Sequence, residues 1–225
     1  MGQGYFVTGT DTGVGKTLIA CALLRAFART GKSVVGMKPV AAGREGGRWA
    51  DVEALAHAST VSARAQIVNP YALEPAIAPH IAAELAGLEI GLEPIARAYE
   101  ELSRLADVVV VEGVGGLLVP LNAAQTGADL AMRLGLPMVL VVGMRLGCLN
   151  HALLTRRQLE ASGLRCAGWV ANCIFADMPH LDGNIRALEQ RLNCPLLGVL
   201  PFRQDLGAAQ AASLLALELL LEAIL

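Results

Sequence analysis

The chain has 225 residues, 54% of them apolar and 17% charged, enough for one sizeable core; at a mean hydropathy of +0.50 it is more apolar than a monomer of this length needs. A net charge of −2, with Lys and Arg dispersed along the chain, excludes the basic field that nucleic acid or an anionic membrane surface requires, so any anionic partner is expected to be a small molecule. Five cysteines, Cys21, Cys148, Cys166, Cys173 and Cys194, show no C-x-x-C spacing, which excludes a zinc or thioredoxin-type pair and points to reduced, mostly buried thiols.

In chain order, an apolar run at 4–8 reads as the first strand. It follows the start too closely for a signal peptide, so the protein is expected in the cytoplasm. The run passes into Gly9-Thr10-Asp11-Thr12-Gly13-Val14-Gly15-Lys16-Thr17 and then into an apolar helix, predicted over 16–29, that continues Leu18-Ile19-Ala20. Such a loop wraps phosphates with backbone N–H groups, adds a helix N-terminus, and offers Lys16 to the β and γ oxygens; the Thr17 hydroxyl suits magnesium. Five residues rather than four separate Gly9 from Gly15, a departure from G-x-x-x-x-G-K-T. The order strand, glycine loop, Gly-Lys-Thr, helix still points to a nucleoside triphosphate. A dinucleotide fingerprint starting at Gly13 would need glycine where Leu18 stands, and that reading fails.

The second strand, 33–37, runs into Lys38-Pro39-Val40 and leaves Lys38 at the ligand edge, either as a solvated surface charge or as a second cation for a transferring phosphoryl group. Asp51 opens a helix over 51–58, as an N-cap or as a metal ligand. After a helix over 92–105 comes a strand at 107–112, Asp107-Val-Val-Val-Val-Glu112. Asp107, at the far edge, reads as a turn or cap residue. Glu112, at the carboxyl end, is the better magnesium ligand, and Gly113, Gly115 and Gly116 behind it let the backbone approach phosphate or substrate closely. Further helices are predicted over 128–134, 149–162, 181–192 and 208–224, and strands over 138–142, 166–171 and 196–200. The last apolar stretch is close to spanning length. Glu218 and Glu222 lie one turn apart on it with no basic flank, so it reads as a packed helix rather than a membrane span. This alternation predicts a single α/β domain, a doubly wound and mainly parallel sheet flanked by helices in the manner of P-loop NTPases, with ligands at the carboxyl ends of the strands.

Seven stretches, taken together and in order, resemble the dethiobiotin synthetase family: YFVTGTDTGVGKT (5–17), KPVAAG (38–43), NPYAL (69–73), APHIAA (78–83), VVVVEGVGGLLVPL (108–121), LGCLNHALLT (146–155) and GWVANC (168–173). The resemblance implies an ATP-dependent enzyme of biotin synthesis that turns 7,8-diaminononanoate, CO2 and ATP into dethiobiotin, ADP and phosphate. It implies that Gly13, Val14, Gly15, Lys16, Thr17, Leu18, Gly113 and Gly115 surround the nucleotide phosphates. Thr17, Asp51 and Glu112 would hold Mg2+, and Lys16 and Lys38 would be catalytic. By the same resemblance Asn172, Cys173, Pro201, Phe202 and Arg203 lie along the adenine, and Thr12, Lys38 and Ala42 face the substrate. Gly147, Cys148, Leu149 and Asn150 would receive its carboxylate tail across a homodimer interface. Ala42 departs from the family, which often has a hydroxyl residue there. His80 and His151 read as structural. Two rivals share such a loop: a partition or septum-site ATPase, which would carry an extra lysine where Asp11 stands, and a small-molecule kinase. A GTPase is excluded by the lack of an Asn-Lys-x-Asp motif, since Cys173 follows Asn172.

Overall fold

A computed structural model describes residues 2–223 of the chain. Their elements are β1 (Gln3–Gly9), α1 (Lys16–Arg29), β2 (Val34–Met37), β3 (Val40–Ala42), α2 (Ala50–Ala58), α3 (Ala65–Val68), β4 (Tyr71–Leu73), α4 (Pro79–Leu85) and α5 (Leu92–Leu105). There follow β5 (Val108–Glu112), α6 (Gly127–Leu134), β6 (Met138–Met144), α7 (Cys148–Ala161), β7 (Cys166–Cys173), α8 (Leu181–Leu192), β8 (Leu196–Leu200), α9 (Ala208–Ala212) and α10 (Leu217–Glu222).

Runs of Val are buried on both sides only when helices cover both faces of a sheet, and the six-stranded sheet β2-β5-β1-β6-β7-β8 is parallel throughout. Alternation along each strand divides the core. Phe6, Val109 and Val111 face one layer with Ile95, Tyr99 and Leu102 of α5, whereas Tyr5, Val7, Val108 and Val110 face Ile19, Leu23 and Phe27 of α1. Each such side chain, fully removed from water, contributes about 1.5–3 kcal/mol. The α5 helix presents Leu92, Ile95, Tyr99 and Leu102 at helical spacing to this core. A third cluster joins Leu140, Val142 and Trp169 to Ile185, Leu188 and Leu192 of α8.

The central strand is β1, with β5 at one side and β6 at the other. From β1 the sheet grows in opposite directions, so helices diverge at the strand's carboxyl end and leave a crevice there. The phosphate loop lies in that crevice. At the opposite end, where the sequence expected a turn or cap residue, Asp107 ties two strand entrances together. Its carboxylate accepts from the backbone N–H (2.8 Å) and hydroxyl (2.6 Å) of Ser33, fixing the entrances of β5 and β2 side by side.

Two regions differ from the sequence expectation. Residues 59–91 contain α3, α4 and β4, and β4 joins β3 in a second, two-stranded parallel sheet in which Val40, Ala41 and Ala42 pair with Tyr71, Ala72 and Leu73; none of these was predicted. The expected helix over 208–224 is two short helices, and position 224 lies outside the described residues. The break falls where the chain crosses the edge strand β8. The Ala216 N–H donates to the Leu197 carbonyl (2.7 Å), and the Leu214 carbonyl lies so close to Gly198 that a Cβ there would sit 2.3 Å from it. Covering an exposed strand edge offsets the lost helical bonds.

Candidate active site

The glycine loop leaves β1 still bonded to the sheet, the Thr10 N–H donating to the Val141 carbonyl (3.0 Å). Gly13 and Gly15 have φ of 75° and 92°, values that favour glycine. At Gly15 any Cβ would also fall 2.2 Å from the Asn172 side-chain amide, which donates to the Val14 carbonyl (2.8 Å). Asn172, at the end of β7, is therefore a clamp on the loop. Lys16 and Thr17 open α1, and Leu18 is half-buried against the core on that side of the sheet. The Lys16 ammonium donates to the Asp11 carbonyl (2.8 Å). The Asp11 carboxylate accepts from the Thr12 N–H (2.7 Å) and pairs with Arg145 (2.5 Å), and these partners hold its carboxyl below the usual range. Burial, reinforced by Lys38, lowers Lys16 to about 8, so an anion arriving beside it would restore its full charge.

Lys38 is 3% exposed and therefore not a solvated surface charge. Its ammonium lies 2.7 Å from Asp51 and 2.6 Å from Glu112. Burial alone would lower it, but the Glu112 and Asp51 carboxylates outweigh burial and hold it above the ordinary lysine range. Asp51 is not an N-cap: α2 is preceded by Trp49, and the Asp51 side chain in the first turn reaches Lys38 and, at 3.0 Å, the Thr17 hydroxyl. That hydroxyl is also 2.8 Å from Glu112; having one hydrogen, it serves one carboxylate at a time. Burial works against the charge of Asp51 and is outweighed by Lys38, which keeps the carboxyl low. Glu112, fully buried, is pushed up by desolvation against the pull of Lys38, and its Oε2 is buried without a protein partner. Lys38 is itself anchored through its backbone: its N–H donates to the Val68 carbonyl, and its carbonyl accepts from the Asn69 amide (2.6 Å).

These groups share a cavity of about 670 Å³ with Thr12, Gly13, Ala42, Gly115 and an apolar wall that includes Ile77, Pro79 and Val119. Gly113 lies behind it, its N–H on the Val7 carbonyl and its Cα against the Phe6 ring. Cys173 ends β7 next to Asn172. Pro201, Phe202 and Arg203 follow β8 directly and are exposed, with Arg203 paired to Asp205 (2.9 Å). Gly147, Cys148, Leu149 and Asn150 form the N-terminus of α7 and are not among the cavity's lining residues. His80 is half-buried with Nδ1 unpaired, and His151 sits in the second turn of α7. Arg145, which meets Asp11 across 134 positions of chain, escaped the sequence reading, and Asn69 lay in the NPYAL stretch without an assigned role.

A loop of glycines closed by Gly-Lys-Thr, seated between the central strand and first helix of a parallel sheet, with a buried carboxylate on the adjoining strand, defines a P-loop nucleotide-binding protein. Solved structures of similar fold are of this kind. The septum site-determining protein MinD complexed with Mg-ADP from Pyrococcus horikoshii matches with a TM-score of 0.59 at 16% identity, over 99% of this chain and 96% of that one. Cell division protein FtsY from Thermotoga maritima matches with a TM-score of 0.53 at 16% identity, over 98% and 69%. A family model described as an AAA domain matches residues 3–210. Sequence similarity is far more particular. The ATP-dependent dethiobiotin synthetase BioD of Nitrosospira multiformis is 60% identical over 96% of this chain and 95% of its own length, and that of Aromatoleum aromaticum is 50% identical over 96% and 97%. The chain belongs to the dethiobiotin synthetase family.

Proposed function

We propose that this chain closes the ureido ring of dethiobiotin from 7,8-diaminononanoate, CO2 and ATP, releasing ADP and phosphate. The observation that carries the reading is a single cavity in which a phosphate loop, a buried Lys38 between two carboxylates, and an apolar wall that includes Ile77, Pro79 and Val119 adjoin. The donors suit magnesium. The Thr17 hydroxyl and the Asp51 and Glu112 carboxylates are hard oxygens, and the unpartnered Oε2 of Glu112 has acceptor capacity to spare. These three residues would hold Mg2+, which supplies charge neutralisation to the phosphates when bound.

One substrate amine adds to CO2 and releases a proton, giving a carbamate. A carbamate oxygen attacks the γ-phosphorus and ADP departs; the second amine then attacks the carbonyl carbon, loses a proton and expels phosphate. Lys16 bridges carbamate and phosphate, while Lys38 opposes the charge that develops on the transferring group. The mixed anhydride turns a poor leaving oxygen into a good one. Thr12 and Ala42 flank the reacting end, and Ala42 leaves any hydrogen bond there to backbone or water. Asn172, Cys173, Pro201, Phe202 and Arg203 lie along the base. Gly147, Cys148, Leu149 and Asn150 of a second copy receive the carboxylate tail in a cytoplasmic homodimer that engages neither nucleic acid nor membrane. Among the described residues no helix is long and apolar enough to cross a membrane.

The test is phosphate release that depends on both diaminononanoate and bicarbonate, with the organic product identified by mass. Release of ADP and phosphate with no ureido product would instead mark a switch ATPase of the septum-site kind, and a phosphorylated organic product would mark a kinase.

A further inference from the structure

At the end of the sheet opposite the phosphate loop, two cysteines that sequence spacing keeps apart are brought together. Cys166 is the first residue of β7, and Cys194 lies in the turn between α8 and β8, held there by Asn193 at φ 50° and by Pro195, whose carbonyl accepts from the Trp169 N–H (2.9 Å). Their sulfurs are 2.9 Å apart, inside the contact distance of two unbonded sulfurs and a short movement from the ~2.05 Å of a disulfide. Cys166, Cys173 and Cys194 are half-buried, whereas Cys21 and Cys148 are buried. On the neighbouring α7, Arg156 is only 13% exposed on its side chain and pairs with Glu160 (3.2 Å). Its Nε is buried with no partner.

We propose that Cys166 and Cys194 form a redox-active dithiol that a hydroperoxide converts reversibly into an intramolecular disulfide, with Cys166 as the attacking thiol. Either thiol can donate in the Cys166–Cys194 contact; that contact and the Arg156 guanidinium draw the Cys166 thiol down, while the same contact and burial drive Cys194 up. Cys166 loses its proton and attacks a peroxide oxygen; the O–O bond breaks, the peroxide leaves as water or an alcohol, and Cys166 becomes a sulfenic acid. The Cys194 thiol then attacks the Cys166 sulfur, the S–S bond forms, and the sulfenic oxygen departs as water with the Cys194 proton. Two electrons pass from the thiols to the peroxide, and a dithiol reductant returns them by exchange. The bond closes a loop that contains the whole of β7 and α8, so the oxidised chain resists unfolding more than the reduced one.

The test treats the folded protein with stoichiometric hydrogen peroxide, blocks remaining thiols and digests with trypsin. The expected result is a linked pair of peptides, 166–186 and 192–203, lighter by two hydrogen atoms than their sum, with the loss of two of five titratable thiols; dithiothreitol restores both, and the oxidised protein has the higher unfolding midpoint. Peptide 166–186 also carries Cys173, so fragmentation must place the bond at Cys166. In Cys194→Ser, dimedone is expected to trap a sulfenic acid on Cys166, and Cys166→Ser should lose the link. A link that persists in Cys166→Ser, bonds only between molecules, or retention of all five thiols would overturn the proposal. Should a serine variant fail to fold, differential alkylation of the unaltered chain before and after peroxide decides the same point.

Discussion

Lys38 and Lys16 do different work although both are buried cations on one cavity. Lys38 offsets two carboxylates, one of them fully buried, and its removal forces Glu112 either to hold its charge away from water or to take up a proton. Lys38→Met is therefore expected to destabilise the chain by about 3–5 kcal/mol, read by urea denaturation. Adding Glu112→Gln should recover most of that stability without recovering turnover. A Lys38→Met protein as stable as the parent would mean that the ion pair is solvated. Lys16 makes one bond to a loop carbonyl, so Lys16→Ala should unfold nearly as the parent does while turnover falls about a hundredfold to a thousandfold. Single-turnover phosphate release measures it; retention of a tenth of the rate would remove Lys16 from the transferring phosphoryl group.

At the scale of elements, α6 carries a complete capping box. The Thr126 N–H and hydroxyl both donate to Asp129 (2.7 Å each), and these bonds hold the Asp129 carboxyl below its usual range. A depressed carboxylate stabilises the fold fully above its unfolded value, ~3.9, and the contribution is lost as pH falls through the lower folded value. Thr126→Ala should thus cost on the order of 0.5–2 kcal/mol at neutral pH, and the gap between variant and parent should shrink in strong acid. Unfolding midpoints across pH 2–7 check this; a gap that widens in acid would contradict it. What the sequence made legible follows the same local logic. Val-rich strands buried on both faces announce themselves, as do helices over α1, α5 and α8, and Lys16, Thr17 and Glu112 sit inside a motif with its context. The three-residue β3 and β4 have no room for a periodic signal. The break after α9 is invisible because its compensation comes from the Leu197 carbonyl on another strand. Lys38 and Asp51 each kept two readings, since what they meet depends on β2 pairing with β5 and on α2 packing against β2. Arg145, 134 positions from Asp11, carried no local mark.

For the molecule as a whole, Leu146 is 99% exposed immediately before Gly147, an apolar side chain at the rim of the segment proposed to complete a second copy's site. Mixing inactive Lys16→Ala with Asn150→Asp, whose added charge opposes the substrate carboxylate, should restore activity under subunit exchange. One site of the mixed dimer then has neither defect. Exchange without recovery would mean that each copy builds its own site, and a species that stays monomeric at assay concentration would exclude sharing altogether. The order of the sheet also bears on how the chain comes into being. Within the sheet β1 is made before the other strands, yet its neighbours, β5 and β6, are 108–112 and 138–144. Until β5 has been made the nascent chain therefore carries an apolar strand with neither edge paired, a species prone to aggregate. The Thr10 and Asn172 bonds that shape the phosphate loop wait on β6 and β7. Encoded by residues 9–17, the nucleotide cradle acquires its full set of supports only after β7 has been made, so ATP cannot assist the folding of the strands that precede it.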